Sequence, residues 1–250
     1  MLKADFHLHT HEDVVDSWLV KYSAKDIIRL AAKKKFQVLS ITNHEKVFFN
    51  QEIKGFAKKK GILLIPGAEP RIGGADVLII NTTNDELARI KKFDDLEKIK
   101  DSALIIAPHP YFIFGCSLGN RLVKHIDSFH AIEFSHIHAI PLLNPFFNLI
   151  IGNKKASETA QKYHKPLVGT SDAHKLYEFG FTFTRVDAAK NKDAIIDAVK
   201  RNKIRMENNP MPTNLFFRRV SGAFLKEVAM KRVLINNHIK NKRKAGMQKI

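Results

Sequence analysis

Short apolar runs recur along this 250-residue chain, and most of them are followed by histidine or acidic residues. The first run leads into His7 and His9, and a late run leads into Asp172 and His174. Short strands that alternate with helices favour a mainly parallel sheet, in which the carboxyl ends of the strands meet at one edge. The pattern therefore predicts that these polar side chains converge on one site.

Seven candidate strands alternate with amphipathic stretches that are typical of helices. The candidate strands are Leu2–Phe6, Val38–Thr42, Ile62–Pro66, Val77–Asn81, Leu104–Ala107, Ala131–Phe134 and Leu167–Thr170. The candidate helices are Ala24–Lys35, Asn50–Lys60, Asp85–Lys92, Lys154–Tyr163 and Asp193–Asn202. With about seven such units, closure into a mainly parallel α/β barrel over residues 1–205 is expected rather than an open sheet.

The remaining segment, residues 206–250, differs in composition. It begins with the breaker-rich stretch Asn208–Pro212, and a helical pattern follows over Val220–Lys240. Ten Lys or Arg residues against two Glu residues give this segment +8 of the net charge of +17. We expect a basic helical C-terminal extension that either packs on the barrel or contacts nucleic acid or another anionic surface.

Composition argues against several classes of protein. No run of about 18 apolar residues occurs, so a membrane-spanning helix is not expected. The first residues show no apolar stretch followed by a cleavage site, so a secretory signal is not expected either. The single cysteine, Cys116, rules out an internal disulfide and suits a reducing compartment. The expected location is the cytoplasm.

The opening motif, Asp5-Phe6-His7-Leu8-His9-Thr10, has the spacing of a metal site. Side chains alternate along an extended strand, so His7 and His9 are expected on the same face. Two histidines at alternate positions near the end of a strand are poorly explained by packing alone. Imidazoles combined with carboxylates suit Zn²⁺, Mn²⁺ or Fe²⁺.

Five segments together resemble the motifs of the PHP (polymerase and histidinol phosphatase) superfamily of metal-dependent phosphoesterases, in order and in spacing. They are Asp5-Phe6-His7-Leu8-His9-Thr10, Ile41-Thr42-Asn43-His44, Pro66-Gly67-Ala68-Glu69, Pro108-His109-Pro110 and Gly169-Thr170-Ser171-Asp172-Ala173-His174. The resemblance covers about residues 1–205. It implies a distorted (β/α)7 TIM-like barrel with two or three divalent metal ions at the C-terminal rim of the strands.

The resemblance also implies a role for individual residues. Glu69 would bridge the first ion to a second one, which His109 would also bind, and His44 and His174 match ligands of a third ion. Glu69 and Asp172 are the candidate catalytic carboxylates. The ligands implied for the first ion are His7, His9, Glu69 and Asp172.

Two positions depart from the family pattern. The family usually has an Asp or His shortly after the first motif, and here Asp16 is the preferred candidate, with Asp13 as the alternative. A histidine commonly follows the bridging glutamate, whereas this chain offers Asp76. An oxygen ligand in that place would favour harder ions such as Mn²⁺. If Asp76 points away from the site, the second ion site is incomplete.

The implied activity is hydrolysis of phosphate esters, in which paired ions about 3.5–4 Å apart clamp a phosphate and activate water. The expected substrate is a phosphomonoester or a nucleotide-like phosphate. Arg71 and His136 are the candidate substrate-binding residues, and further rim candidates are Lys46, Lys175 and His138. The alternative is an RNA- or DNA-binding barrel module with little or no catalysis. The basic tail favours that alternative, and the full set of ligand residues argues against it.

Overall fold

The computed structural model describes residues 1–112, 116–134 and 152–209, together with residues 212, 214 and 215. The chain divides into two compact units, and the first, Met1–Pro210, contains every described strand. None of the described helices is long and apolar enough to cross a membrane. The predicted tail helix, Val220–Lys240, and the two candidates His136 and His138 lie outside the described residues.

All seven predicted strands and all five predicted barrel helices occur, with ends that differ by at most four residues. The strands are β1 (Leu2–Asp5), β2 (Val38–Ile41), β3 (Leu63–Ala68), β4 (Arg71–Ile72), β5 (Ala75–Asp76), β6 (Leu78–Ile80), β7 (Leu104–Ala107), β8 (Ala131–Phe134), β9 (Leu167–Gly169), β10 (Thr182–Val186) and β11 (Ile204–Asn208). The α-helices are α1 (Ala24–Lys33), α2 (Gln51–Lys59), α3 (Asn84–Ala88), α4 (Arg121–Lys124), α5 (Asn153–Lys162) and α6 (Lys192–Lys200). Short 3-10 helices cover Phe93–Ile99, Ile126–Ser128 and Leu176–Glu178.

One nine-stranded sheet, in the order β11-β10-β1-β2-β3-β6-β7-β8-β9, carries the site. The strands β1, β2 and β3 pair in parallel, as do β7, β8 and β9. By contrast, β6 is antiparallel to β3 and β7, and β10 is antiparallel to β1 and β11. Four of the eight pairings in this sheet are parallel and four are antiparallel, so the sheet is half parallel rather than mainly parallel as expected.

The reversal of β6 follows from the short connection that precedes it. Only residues 69–77 separate β3 from β6, and the small hairpin of β4 and β5 occupies them. A parallel crossover needs a dozen or more residues, so β6 has to return antiparallel to β3. The carboxyl ends of the six strands in parallel pairs thus share one rim with the amino end of β6, where Asp76 lies.

The two edges of the sheet approach each other closely. The Thr184 hydroxyl on β10 donates to the Gly169 carbonyl at the end of β9, at 2.8 Å. A Cβ atom on Gly169 would lie 2.6 Å from the Met206 side chain of β11, so this contact requires glycine. The sheet is therefore a nearly closed barrel. Its last strand, β11, runs across the predicted boundary at 205/206.

Buried apolar side chains pack the helices against the sheet. Ile195 and Val199 of α6 share one buried cluster with Phe6, Ile65 and Ile106, which come from β1, β3 and β7 or follow them directly. A second cluster joins α1 and α2 to β2. These contacts hold the helices against the sheet, and the sheet places the loops that follow its strands at the rim.

His130, directly before β8, makes the fold sensitive to acid. Its Nδ1 accepts a hydrogen bond from the backbone N–H of Ile105 at 3.0 Å. Burial, followed by the charges of Lys200, Lys100 and Lys165, lowers the pKa of His130 to about 4. Because the unfolded chain then binds more protons than the folded one, stability falls as the pH drops from about 6.5 toward 4.

We expect His130→Asn to reduce this loss, because the amide oxygen still accepts from Ile105 but does not titrate. Urea unfolding between pH 7 and 4.5 measures the effect as the difference between the two pH profiles of unfolding free energy. His164→Asn is the matched control, since His164 lies in a turn with φ 53° that Asn tolerates. Identical profiles for His130→Asn and the wild type would contradict the assignment.

Candidate metal centre

His7 and His9 converge just beyond the end of β1. Their Nε2 atoms lie 3.1 Å apart, and both side chains are fully buried. Leu8, between them, forms a bridge to Ala173 that fixes the chain after the strand ends. The structure thus brings the two imidazoles together as the alternation predicted.

Glu69, directly after β3, and Asp172, after β9, complete this cluster. Glu69 Oε2 lies 3.2 Å from the Nε2 atom of each imidazole, and Asp172 Oδ1 lies 3.4 Å from each. A tetrahedral ion with ligand distances of about 2.0–2.1 Å has donor–donor edges of about 3.3 Å. The edges among His7, His9 and Glu69 fit three ligands around one ion, and Asp172 forms further donor groups with His7 and His109 and with His9 and His174.

Buried carboxylates lie behind these imidazoles. Asp13 Oδ2 is 2.9 Å from His9 Nδ1, and Glu133 Oε1 is 2.7 Å from His7 Nδ1. A ring whose Nδ1 donates to a carboxylate presents the Nε2 lone pair on its opposite side. Two such lone pairs at 3.1 Å repel each other unless a cation or a proton lies between them. The donor set and its orientation therefore fit a divalent ion.

A second cluster shares Glu69 with the first. Glu69 Oε1 lies 3.2 Å from His109 Nε2, and one donor atom each of Glu69, His109 and Asp76 lie within 4.8 Å of one another. The two oxygens of Glu69 thus face different clusters, which is the geometry of a bridging carboxylate. Asp76 points toward the centre rather than away from it. Within the described part of the chain, the buried Nδ1 of His109 has no hydrogen-bond partner.

His44 and His174 flank His9, with ring centroids 4.5 Å and 4.4 Å from its own. His44 Nε2 lies 3.4 Å from Glu69 Oε2. His174 Nε2 lies 3.0 Å from Asp16 Oδ2. The candidate third set is therefore next to the first cluster.

Asp13 and Asp16 occupy different places in the centre. Asp13 can form a donor group with His9 and His44, but its Oδ2 already contacts both Nδ1 atoms and accepts the backbone N–H of His44. Its Oδ1 accepts the backbone N–H groups of Val15 and Asp16. Asp13 therefore lies behind the imidazoles and orients them, whereas Asp16 faces His174. The preference for Asp16 over Asp13 as a ligand stays a prediction, because the donor groups among the described residues include Asp13 and not Asp16.

The backbone around the centre is held in unusual conformations. His109 and Asp172 have φ angles of 27° and 44°, a left-handed region that non-glycine residues seldom adopt. Asp5 Oδ1 accepts the backbone N–H groups of His7 and Ser171, at 3.2 Å each. This contact joins the first motif to the last one, so two segments 166 positions apart contribute to one site.

The charges of the ion-free centre favour bound protons. Burial alone would lower the pKa values of His7 and His109, but the surrounding carboxylates outweigh it. The pKa of His7 rises well above its ordinary value, mainly through Glu69, and that of His109 rises to about 9. Burial raises the pKa of Asp5 to about 7, although hydrogen bonds oppose it. An entering ion would therefore displace protons.

The candidate substrate residues fall into two groups. Arg71 on β4 is 49 % exposed, lies 3.3 Å from Asp76 through Nε, and lines a cavity of about 550 Å³ whose wall includes Glu45 and Pro70, the sequence neighbours of His44 and Glu69. Lys46 lines the same cavity. By contrast, Lys175 Nζ donates to the carbonyl of Leu19 at 2.6 Å, so it ties the loop of residues 11–20 to the rim.

Glu133 is the residue that the sequence interpretation missed. It lies in the buried strand β8 and contacts His7, His109 and Thr170. An acidic side chain inside the apolar run Ala131-Ile132-Glu133-Phe134 was the available signal, because buried carboxylates need specific partners.

Comparisons with known proteins agree with the resemblance to the PHP superfamily. A family model described as PHP-associated matches residues 151–204. Two uncharacterized proteins of Methanocaldococcus jannaschii are similar to the chain. One is 28% identical over 64% of this chain and 95% of its own length. The other is 24% identical over 74% of this chain and 70% of its own length.

Two crystal structures share the fold. One is a two-domain protein of Bacteroides vulgatus, described as containing a predicted PHP-like metal-dependent phosphoesterase, with a TM-score of 0.60 and 19% identity over 83% of this chain. The present chain spans 65% of that protein. The other is PsfC of Pseudomonas syringae, with a TM-score of 0.58 and 14% identity over 91% of this chain and 100% of PsfC. The resemblance to the PHP superfamily is confirmed.

We expect zinc to stabilise the protein more strongly as the pH rises from 6 to 8, because ions compete with protons on His7 and His109. The ion-free protein loses the contribution of His109 as the pH rises through about 9, since its raised pKa stabilises the folded state mainly at lower pH. Melting temperatures of chelated and zinc-loaded protein measure the difference. His7→Asn should weaken the pH trend, because His109 still competes for protons, and the control His164→Asn should keep the full trend. A zinc shift that does not change with pH would contradict the prediction.

Proposed function

We propose that this chain, whose motifs and PHP-associated segment resemble the PHP superfamily, is a metal-dependent hydrolase of phosphate esters. The observation that carries the proposal is the first cluster, whose donor distances fit one ion and whose Glu69 reaches toward a second. A purely structural cluster would not need one carboxylate shared between the imidazoles of His7 and His9 and the imidazole of His109.

Divalent ions held there would supply positive charge to the phosphate oxygens and lower the pKa of the attacking water. Mixed imidazole and carboxylate donors suit Zn²⁺, Mn²⁺ or Fe²⁺, and the oxygen donor of Asp76 favours Mn²⁺ at the second position. The described donors form two clusters around Glu69, and two further groups share His9, one with His44 and Asp13 and one with His174 and Asp172. We therefore propose two or three ions.

Glu69 and Asp172 have distinct proposed roles. Glu69 is 1 % exposed and connects the two clusters, so it would fix their separation. Asp172 is 17 % exposed and presents Oδ1 to the imidazoles. We propose that its second oxygen accepts a proton from the attacking water. His7 and His9 would hold their ion without moving, because Glu133 and Asp13 fix both rings.

The cavity lined by Arg71 supports a phosphorylated small molecule or nucleotide as substrate. Lys46, Arg71 and Lys91 contribute positive charge to its wall, and Leu87 and Ile90 contribute apolar surface. Such a lining suits a phosphate ester whose leaving group is apolar or anionic. A cytoplasmic location, favoured by the single cysteine, belongs to the same proposal.

A nucleic-acid-binding barrel without catalysis is the weaker proposal. It rests on the basic segment, which lies almost wholly outside the described residues. It also leaves unexplained why so many buried imidazoles and carboxylates converge at the rim. Salt-sensitive RNA binding by a protein that retains no metal would favour it over hydrolysis.

We expect His7→Asn and Asp172→Asn each to lower kcat/KM by at least about 100-fold, because each removes a donor of the first cluster. The assay uses p-nitrophenyl phosphate, its bis-ester and a nucleotide panel, with Mn²⁺ or Zn²⁺ supplied. His164→Asn and Asp197→Asn are the matched controls, since His164 lies in a turn and Asp197 pairs with Arg201 on the exposed face of α6. Full activity in the cluster variants would refute the assignment.

Arg71→Gln should raise KM about tenfold and leave kcat nearly unchanged, because Arg71 would bind substrate without taking part in the reaction. The comparison variant is Arg29→Gln, whose side chain pairs with Asp26 on the surface of α1. The metal content of Arg71→Gln has to match that of the wild type, since Arg71 also contacts Asp76. An unchanged KM would remove Arg71 from the substrate site.

A further inference from the structure

We propose that Glu133 is a positioning residue that sets the ligand geometry of both clusters, through the imidazole of His7 and the backbone of His109. The inference rests on the proposed function only in taking the centre to hold metal ions. It concerns how this chain prepares its ligands, and it can be tested without any substrate.

The contacts of Glu133 reach three segments of the rim. The side chain is fully buried in β8. Oε1 lies 2.7 Å from His7 Nδ1 and also accepts the hydroxyl of Thr170. Oε2 accepts the backbone N–H of His109 at 2.6 Å. One carboxylate therefore joins the segments that follow β1, β7 and β9.

The chemistry of these contacts determines which nitrogen of His7 carries the proton. An ionised carboxylate only accepts hydrogen bonds, and Glu133 receives a hydroxyl, a backbone N–H and an imidazole. His7 must therefore present Nδ1–H to Glu133. Its Nε2 then has a free lone pair, and this is the atom that faces Glu69 and Asp172. The contact selects the tautomer that can bind an ion.

The contact with His109 acts on the backbone. His109 lies between Pro108 and Pro110, which have no N–H groups, so it carries the single backbone donor of this tripeptide. Glu133 takes that donor, while the residue adopts a φ angle of 27°. Strained backbone of this kind persists only where surrounding contacts hold it. In this conformation His109 directs Nε2 toward Glu69, at 3.2 Å.

Asp13 makes a comparable pair of contacts with His9 and His44, but it is close to both residues in sequence, 4 and 31 positions away. Glu133 instead joins a ligand of the first cluster to a ligand of the second, 102 positions apart along the chain. The two ion sites should therefore depend on each other through Glu133 as well as through the shared carboxylate of Glu69.

Glu133→Gln tests the inference, because it preserves shape and leaves only one acceptor oxygen. If that oxygen faces His109, the amide NH₂ faces His7 Nδ1 and moves the ring proton to Nε2, where it blocks an ion. If the amide is reversed, its NH₂ meets the backbone N–H of His109. Zinc affinity, measured by competition with a chromophoric chelator, should fall about 10- to 100-fold, and elemental analysis should show fewer bound ions.

A second readout separates positioning from general stability. In zinc-loaded wild-type protein, NMR should show a downfield His7 Nδ1 proton bonded to a carboxylate, and Glu133→Gln should lose it. Glu178→Gln is the matched control, because Glu178 is a buried carboxylate of the same rim that accepts the backbone N–H groups of His174 and Lys175. It should lower the melting temperature and retain the His7 signal.

Glu133→Asp provides the conservative variant if Glu133→Gln does not fold. It keeps the charge but is one methylene shorter, so its zinc affinity should be lower than that of the wild type. Where Glu133→Gln also folds, the affinity of Glu133→Asp should lie between those of the wild type and Glu133→Gln. Wild-type zinc affinity in either variant, together with an unchanged His7 signal, would overturn the inference. Loss of zinc in Glu133→Gln, in a protein that hydrolyses no phosphate ester, would support the inference and refute the proposed function.

Discussion

The fold holds two imidazole nitrogens 3.1 Å apart in a fully buried position, and the rest of the site depends on this constraint. Their lone pairs would repel each other without positive charge between them. A cation or bound protons would remove this repulsion, and the surrounding carboxylates favour either one. Asp13 and Glu133 take the Nδ1 protons, and Glu69 and Asp172 face the Nε2 atoms. Each carboxylate is itself buried or nearly so, and burying it would be costly without these partners.

The direction of the strands supplies the geometry. Six strands end at one rim, and the reversed β6 begins there, so that Asp76 joins donors that follow parallel strands. A fully parallel barrel would start that strand at the opposite end of the sheet. The short hairpin of β4 and β5 therefore has a chemical consequence, since it brings an oxygen donor to the second cluster.

Much of this arrangement could be predicted from the sequence, because strand patterns and metal-binding side chains are local features. The strands and the convergence of His7, His9, Glu69 and Asp172 belong to that part. The direction of β6 could not be predicted from hydrophobic alternation, which is the same for parallel and antiparallel neighbours. The missed strands β10 and β11 mix apolar with charged residues, such as Arg185 and Glu207, which pair with each other.

The contacts behind the ligands were harder to predict than the ligands. Asp13 and Asp16 differ by three positions in one loop, and only the folded loop shows that one contacts two Nδ1 atoms while the other faces His174. Glu133 is 126 residues from His7 in sequence. A hydrogen bond over that separation leaves no periodic signal, and its trace is a single charged residue in an apolar strand.

The bridge between Leu8 and Ala173 has a consequence for the order of folding. The first cluster draws on the opening residues and on a segment about 165 positions later, so most of the chain must leave the ribosome before the cluster can close. Bringing such distant segments together costs chain entropy before any contact repays it. His7 and His9 would therefore stay exposed until Asp172 is synthesised and reaches them. Metal uptake would then mark the end of folding, and a truncated chain would keep its histidines without the complete ion site.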